Sequence, residues 1–226
     1  DVHEGVVSAA VRNVRRNLRP GAAVAIHAGC GDLLEPLRPR DVAFDVIYEN
    51  LPNVPARTSG EVAAARTSST HVAPRPEAIP AEVRQQMLDL HYVALRQARD
   101  FLAPGGSVVS MLGARVPLEV LLRLGAAAGL ASSFLRYTWK VQAEGETVIR
   151  DHSARHREGF GPFHFYPAAL LRERFSALDA ETAGERALEI ERSLAPERLD
   201  AAAAWEAFRR GEGVGHTAGA REAVGR

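Results

Sequence analysis

Cysteine is almost missing from this chain: Cys30 stands alone, which excludes an intramolecular disulfide, and no Cys/His cluster has the spacing of a structural zinc site. An excess of either charge is missing too. The 28 Lys and Arg residues balance the 28 Asp and Glu residues. A general nucleic-acid binder or a polybasic membrane protein relies on surplus positive charge, so neither partner is expected. No apolar run reaches transmembrane length, no signal-peptide pattern stands before the first amphipathic segment, and no internal repeat is visible. A cytoplasmic location is therefore expected. What is present is 46% hydrophobic and 25% charged residues over 226 positions, enough for a sizeable core.

One stretch stands out. Phe44-Asp45-Val46-Ile47-Tyr48-Glu49 is a mostly apolar run, and Asn50-Leu51-Pro52-Asn53-Val54-Pro55 breaks it. This reads as a buried parallel strand that stops abruptly. Ligands of open α/β sheets bind just beyond the carboxyl ends of strands. Asn50 and Asn53 would sit there, on backbone that Pro52 and Pro55 keep from continuing as strand or helix. Alternation would put Tyr48 and Glu49 on opposite sheet faces, and a buried Glu49 would need a partner.

Around this centre the spacing predicts an amphipathic helix over residues 1–18, with Arg12, Arg15 and Arg16 on its polar face. Asp1 before it is either an N-cap or an acid that holds ribose hydroxyls. Ala22 to Ala28 reads as a short strand leading into Gly29-Cys30-Gly31-Asp32-Leu33-Leu34-Glu35-Pro36. No long helix follows these glycines, because Pro36 and Pro39 interrupt. The stretch is better read as a strand end whose Asp32 offers an acceptor to a ligand, with Cys30 packed behind it.

Residues 54–81 lack periodicity and are either a functional lid or surface disorder. Helical spacing returns over 82–102, Pro104-Gly105-Gly106 feeds a strand at 108–112, and a second helix at 118–128 is closed by Gly129. Phe134 to Ala143 alternates, with Phe163 to Tyr166 as its expected antiparallel partner. Residues 170–178, 185–194 and 199–210 read as helices, and the Gly-rich tail from Gly211 as frayed. The expected division is a catalytic region over 1–166 and a helical extension over 167–226.

Tyr92, midway along the 82–102 helix, can place its ring over a cationic ligand, or be an ordinary half-buried helix residue. His71, His91, His152, His156 and His164 are candidate general bases. His152 and His156 share a helical face but lack a third ligand, so no metal site is expected.

With these segments placed, the chain resembles the class I S-adenosylmethionine-dependent methyltransferases, nearest to the release-factor glutamine methyltransferase branch. Three stretches carry the likeness. Asp1-Val2 before a helix resembles the acidic ribose-binding position and the apolar residue after it. Gly31-Asp32-Leu33-Leu34-Glu35-Pro36-Leu37 resembles the motif whose aspartate binds the adenine amino group. Asn50-Leu51-Pro52-Asn53 resembles the Asn-Pro-Pro-Tyr motif of the reaction centre. The resemblance covers residues 1 to about 130. It implies an α/β fold with a Rossmann-like, mostly parallel sheet, a C-terminal antiparallel hairpin and C-terminal helices. It assigns Asp1, Val2, Asp32, Leu33, Asn50 and Leu51 to the cofactor S-adenosyl-L-methionine. Tyr48, Pro52 and Asn53 go to the substrate, and Asn50 and Tyr92 to catalysis. The family's glycine-rich loop would precede Asp1, so a longer chain is expected, and without that part the 44–49 strand keeps an unpaired edge.

Asn53 replaces the aromatic residue of the motif, which removes a stacking platform for a planar amide or base. A small-molecule acceptor is therefore expected, methylated on nitrogen or oxygen in a biosynthetic pathway. Two alternatives stay open. One is cyclisation of the aminopropyl arm of the cofactor to azetidine-2-carboxylate, with release of methylthioadenosine. The other is a catalytically degenerate partner subunit. The assembly is left open, a homodimer among the choices.

Overall fold

A computed structural model describes residues 1–56, 71–142 and 144–225. Helix α1 (Glu4–Asn17) opens the chain and buries none of its residues. The sheet strands are β1 (Phe44–Glu49), β4 (Leu102–Ala114), β5 (Leu130–Val141), β6 (Tyr166–Pro167) and β7 (Val214–Gly225). A separate pair is formed by β2 (Val54–Pro55) and β3 (His71–Val72). Between strands lie α2 (Ala81–Gln85), α3 (Asp89–Ala98), α4 (Leu118–Ala127) and α5 (Gly145–Arg157). They are followed by α6 (Ala168–Phe175), α7 (Ala180–Glu185), α8 (Ala187–Leu194) and α9 (Ala201–Arg209).

The architecture is α/β with a mixed sheet. Strand order is β1-β4-β7-β5, with β6 added along β7. β1 and β4 are parallel, whereas β7 runs antiparallel to β4, β5 and β6. A mostly parallel sheet was expected; among the described residues only the β1–β4 ladder of this sheet is parallel. The largest departure is the tail. Residues expected to fray form β7, which lies between β4 and β5 over residues 217–224 and pairs with β6 at Val214 and Gly215. Phe163 to Tyr166 is correspondingly not the main partner of β5: only Tyr166 and Pro167 enter the sheet, and they pair with β7.

The expected strand at Ala22 to Ala28 does not form, and Val24 is 53% exposed. A strand needs a ladder partner, and β1, the edge of the sheet, pairs with β4 alone among the described residues. The 82–102 helix is divided into α2 and α3, because Met87 adopts a positive φ of 56° that interrupts the helical bonds. The 118–128 helix ends as expected, with Gly129 at φ 82° taking the left-handed turn. Half of the 54–81 stretch read as a lid, residues 57–70, lies outside the described residues.

The core lies on both faces of β4 and β7, where Leu95, Leu118, Leu121, Tyr137, Ile149 and Phe165 are fully buried. Two C-terminal helices start on aspartate caps. Asp179 accepts from the backbone amides of Glu181 and Thr182, and Asp200 from that of Ala203. No helix among the described residues is long and apolar enough to cross a membrane.

Candidate functional site

Parallel pairing of β1 with β4 brings two strand ends to one edge of the sheet, Glu49-Asn50 from β1 and Ala114-Arg115 from β4. A cavity of about 400 Å³ opens beyond β1. Its walls combine Asp1 and Val2, Asp32 and Leu33, and Tyr48, Asn50, Leu51 and Pro52. Three stretches far apart in the chain thus meet in one place. The Asp1 carbonyl accepts from the Gly31 amide at 2.9 Å, which ties the start of the chain to the Asp32 turn. The Asp1 carboxylate lines the cavity and accepts from the His3 amide at 2.9 Å, but it does not cap α1: His3 holds the N-cap position and no side chain bonds the first helical amides. The Leu34 amide donates to Gln97 Oε1 at 3.0 Å and holds the same turn against α3.

Asp32 is not bare. Arg75 donates to both of its oxygens, Nη1 to Oδ1 at 2.8 Å and Nη2 to Oδ2 at 2.7 Å, while also bonding Glu77 through Nε and Nη2. These carboxylates raise the Arg75 pKa above its usual value, so its charge is fixed. Each Asp32 oxygen keeps a second lone pair for a ligand.

A second cavity, of about 260 Å³, shares the Asn50-Leu51-Pro52 wall and continues to Asn53, His91, Arg115 and Lys140. Asn53 therefore lines only the second cavity, whereas Asn50, Leu51 and Pro52 line both. Between the cavities lies a buried pair: His91 Nδ1 is 3.0 Å from Glu49 Oε1, with His91 2% and Glu49 8% exposed. Burial pushes the Glu49 carboxyl up, but His91 and the nearby Arg221 outweigh it and leave the pKa below the usual value. Glu49 Oε2 is buried with no hydrogen-bond partner among the described residues. Arg221, fully buried, is itself held by the Leu121 carbonyl and the Ser110 hydroxyl.

Tyr92 is not brought to the first cavity. Leu90 and Ala94, one turn apart on α3, line it. A residue two positions on from Leu90 points to another side of the helix. Tyr92 is buried there, with Arg96 over its ring at 6.0 Å and bonded to its hydroxyl at 3.3 Å. The other histidines have structural company. His152 is buried edge-on to Phe163 and Phe165 and donates to the Val148 carbonyl. His71 pairs with Asp151 at 2.9 Å, and His164 lies between Arg198 and Glu191. His156 lies 3.9 Å from Asp200. No group of three or more metal-ligating side chains occurs among the described residues.

Arg75, Glu77, Arg115 and Lys140 were not singled out from the sequence. Arg75 and Glu77 are near neighbours in sequence, but their meeting with Asp32, and that of Arg115 with Lys140, comes only from how distant segments pack. Comparison with protein-family models returns no match, and no curated protein matches the chain.

Proposed function

We propose that this chain is an S-adenosylmethionine-dependent transferase of Rossmann-like fold that methylates nitrogen or oxygen of a small molecule. One observation carries the reading. Asp1, Val2, Asp32, Leu33, Tyr48, Asn50, Leu51 and Pro52, named from residue types and from motif resemblance, line a single cavity beyond the end of β1. That is where ligands of open α/β sheets bind.

The lining suits the cofactor chemically. Asp1 offers carboxylate oxygens to ribose hydroxyls, and Asp32 offers its remaining lone pairs to an adenine amino group. Leu33, Leu34, Leu90 and Val108 supply apolar wall. S-adenosylmethionine, when bound, supplies an electrophilic methyl carbon. The chain's own residues have the simpler work of orienting a nucleophile and excluding water. Asn50 belongs to both cavities, and its amide oxygen can accept a hydrogen bond from an acceptor N–H or O–H at their junction. Glu49 as a carboxylate only accepts, so His91 Nδ1 donates to it and Nε2 is the nitrogen left to take a proton.

The test is incubation of the purified protein with S-adenosylmethionine, with and without a panel of small amines and alcohols, followed by mass spectrometry. Methylation reads out as S-adenosylhomocysteine formed only when an acceptor is present. Methylthioadenosine formed without an acceptor would replace this reading by aminopropyl cyclisation. No calorimetric binding of S-adenosylmethionine or S-adenosylhomocysteine would leave the degenerate-subunit reading in its place.

A further inference from the structure

The cavity beyond Asn50 has a chemical character that the transferase reading does not use. Arg115 directly follows β4, and Lys140 lies near the end of β5; both line this space. Among the described residues neither forms an ion pair with a carboxylate, and the exposed Glu144 at the rim is paired with neither. Arg115 is held in place by neutral groups. Its Nε donates to Gln142 Oε1 at 3.0 Å, and its Nη2 lies 3.4 Å from His216 Nε2. His216 Nδ1 lies 2.7 Å from the Thr217 carbonyl, which accepts its proton and leaves Nε2 as a lone-pair acceptor for the guanidinium.

Gly113 makes room for this arrangement. A Cβ there would meet Arg115 Nη1 at 2.8 Å and Cζ at 3.0 Å, so a larger residue would drive the guanidinium off its seat. Two cations thus line a space of about 260 Å³ whose one carboxylate among the described residues, the exposed Glu144, pairs with neither. A half-buried guanidinium beside a second positive charge, without a bound counter-ion, is unfavourable, and an anion bridging the two relieves that cost. The strain is visible in their acidities. Loss of solvent pulls the Arg115 guanidinium down to about 10, and loss of solvent together with the charge of Arg115 lowers Lys140.

We infer that this cavity is a subsite for the carboxylate of the acceptor, held between Arg115 and Lys140 with the nucleophilic nitrogen or oxygen directed at Asn50. The inference rests on the transferase reading and narrows its substrate to a small amino or hydroxy acid. A carboxylate fits better than a phosphate. One Nε and one Nη2 hydrogen of Arg115 are engaged, which leaves the Nη1 hydrogens, the second Nη2 hydrogen and the Lys140 ammonium as donors, and the carboxylate of Glu144 at the rim favours a monoanion over a phosphate dianion.

The experiment is titration of the full chain, ¹⁵N-labelled on arginine, with sodium propionate and separately with inorganic phosphate, ionic strength being held constant with chloride. Propionate is expected to shift the Arg115 Nε–H resonance saturably. Lys140→Met keeps the stem of an exposed side chain and is expected to weaken the binding at least fivefold. Gly113→Ala is expected to abolish the shift. A shift that Lys140→Met leaves unaltered would overturn the carboxylate site, as would phosphate bound tenfold more tightly than propionate. S-adenosylhomocysteine binding is measured on the same samples. Its absence with propionate binding intact sinks the transferase reading while supporting the carboxylate site; its presence without propionate binding does the reverse.

Discussion

His91 on α3 and Glu49 at the end of β1 are 42 positions apart, yet their side chains meet at 3.0 Å out of solvent contact. The pair closes the floor between the two cavities. A buried carboxylate that loses its partner keeps its desolvation cost with nothing to offset it. His91→Ala is therefore expected to destabilise the fold by about 3 kcal/mol. A double-mutant cycle with Glu49→Gln, read by urea denaturation, should give a coupling of about 1–3 kcal/mol. Additive effects would mean the pair is not coupled.

Asn50→Ala separates orientation from binding. The acceptor loses its hydrogen-bond anchor, whereas most of the cofactor wall stays. Turnover is expected to fall by about 10²-fold, the scale of a misplaced reactant. S-adenosylhomocysteine affinity by calorimetry should change little. Equal losses in both would assign Asn50 to cofactor binding instead.

Asp32 and Arg75 act through one carboxylate. Asp32→Asn should weaken S-adenosylhomocysteine about tenfold, equivalent to about 1.4 kcal/mol. Arg75→Met leaves the carboxylate in place but unoriented, so a smaller loss is expected. The double variant should bind no worse than Asp32→Asn alone, since one group cannot be lost twice.

Removal of residues 214–226 takes out the strand between β4 and β5. Among the described residues β5 would lose its one ladder, β4 would keep only its pairing with β1, and Arg221 would vanish from the core. Cooperative thermal unfolding is expected to disappear. A truncated chain that still melts in one sharp transition would show that β4 and β5 can be held without it.

Stability should decline with acid. Burial pushes His152 from 6.5 down to about 3 and lowers His216 well below 6.5, with the charge of Arg115 adding to both. The folded chain keeps these rings neutral. Below pH 6.5 the unfolded chain takes up protons that the native state refuses, so the stabilisation present above that value is lost progressively toward pH 3. Glu49, depressed below 4.5, adds loss in the same direction at the acid end. Urea midpoints from pH 7.5 to 4.5 should fall monotonically, and His152→Leu should flatten the slope.

Much of the helical framework is legible in the chain's periodicity. The 3.6-residue spacing of Leu90 and Val93 and of Leu118–Leu124, and the Gly129 stop, are local signals that local bonds answer, whereas the break at Met87 and the Asp179-capped helix α7 were not expected. The strand Phe44–Glu49 and its polar end are likewise legible, but the expected burial is not met: as the sheet edge it leaves Val46 59% and Tyr48 64% exposed.

Sheet membership was not local. Ala22 to Ala28 has strand composition and no ladder. Val214-Gly215-His216-Thr217-Ala218-Gly219-Ala220 has a composition poor in branched and aromatic residues, yet it is a strand paired on both sides. Strand propensity mainly records fit to neighbours, and neighbours come from elsewhere in the chain. The same reasoning applies to the site. Residue types and their spacing mark Asp1, Asp32 and Asn50 as chemistry-bearing. The facing of Tyr92 away from the cavity, the clamp of Arg75 on Asp32, and the meeting of Arg115 with Lys140 depend on how distant segments pack. Hydrogen bonds and charges act through space over a few ångströms, and separation along the chain does not encode that distance.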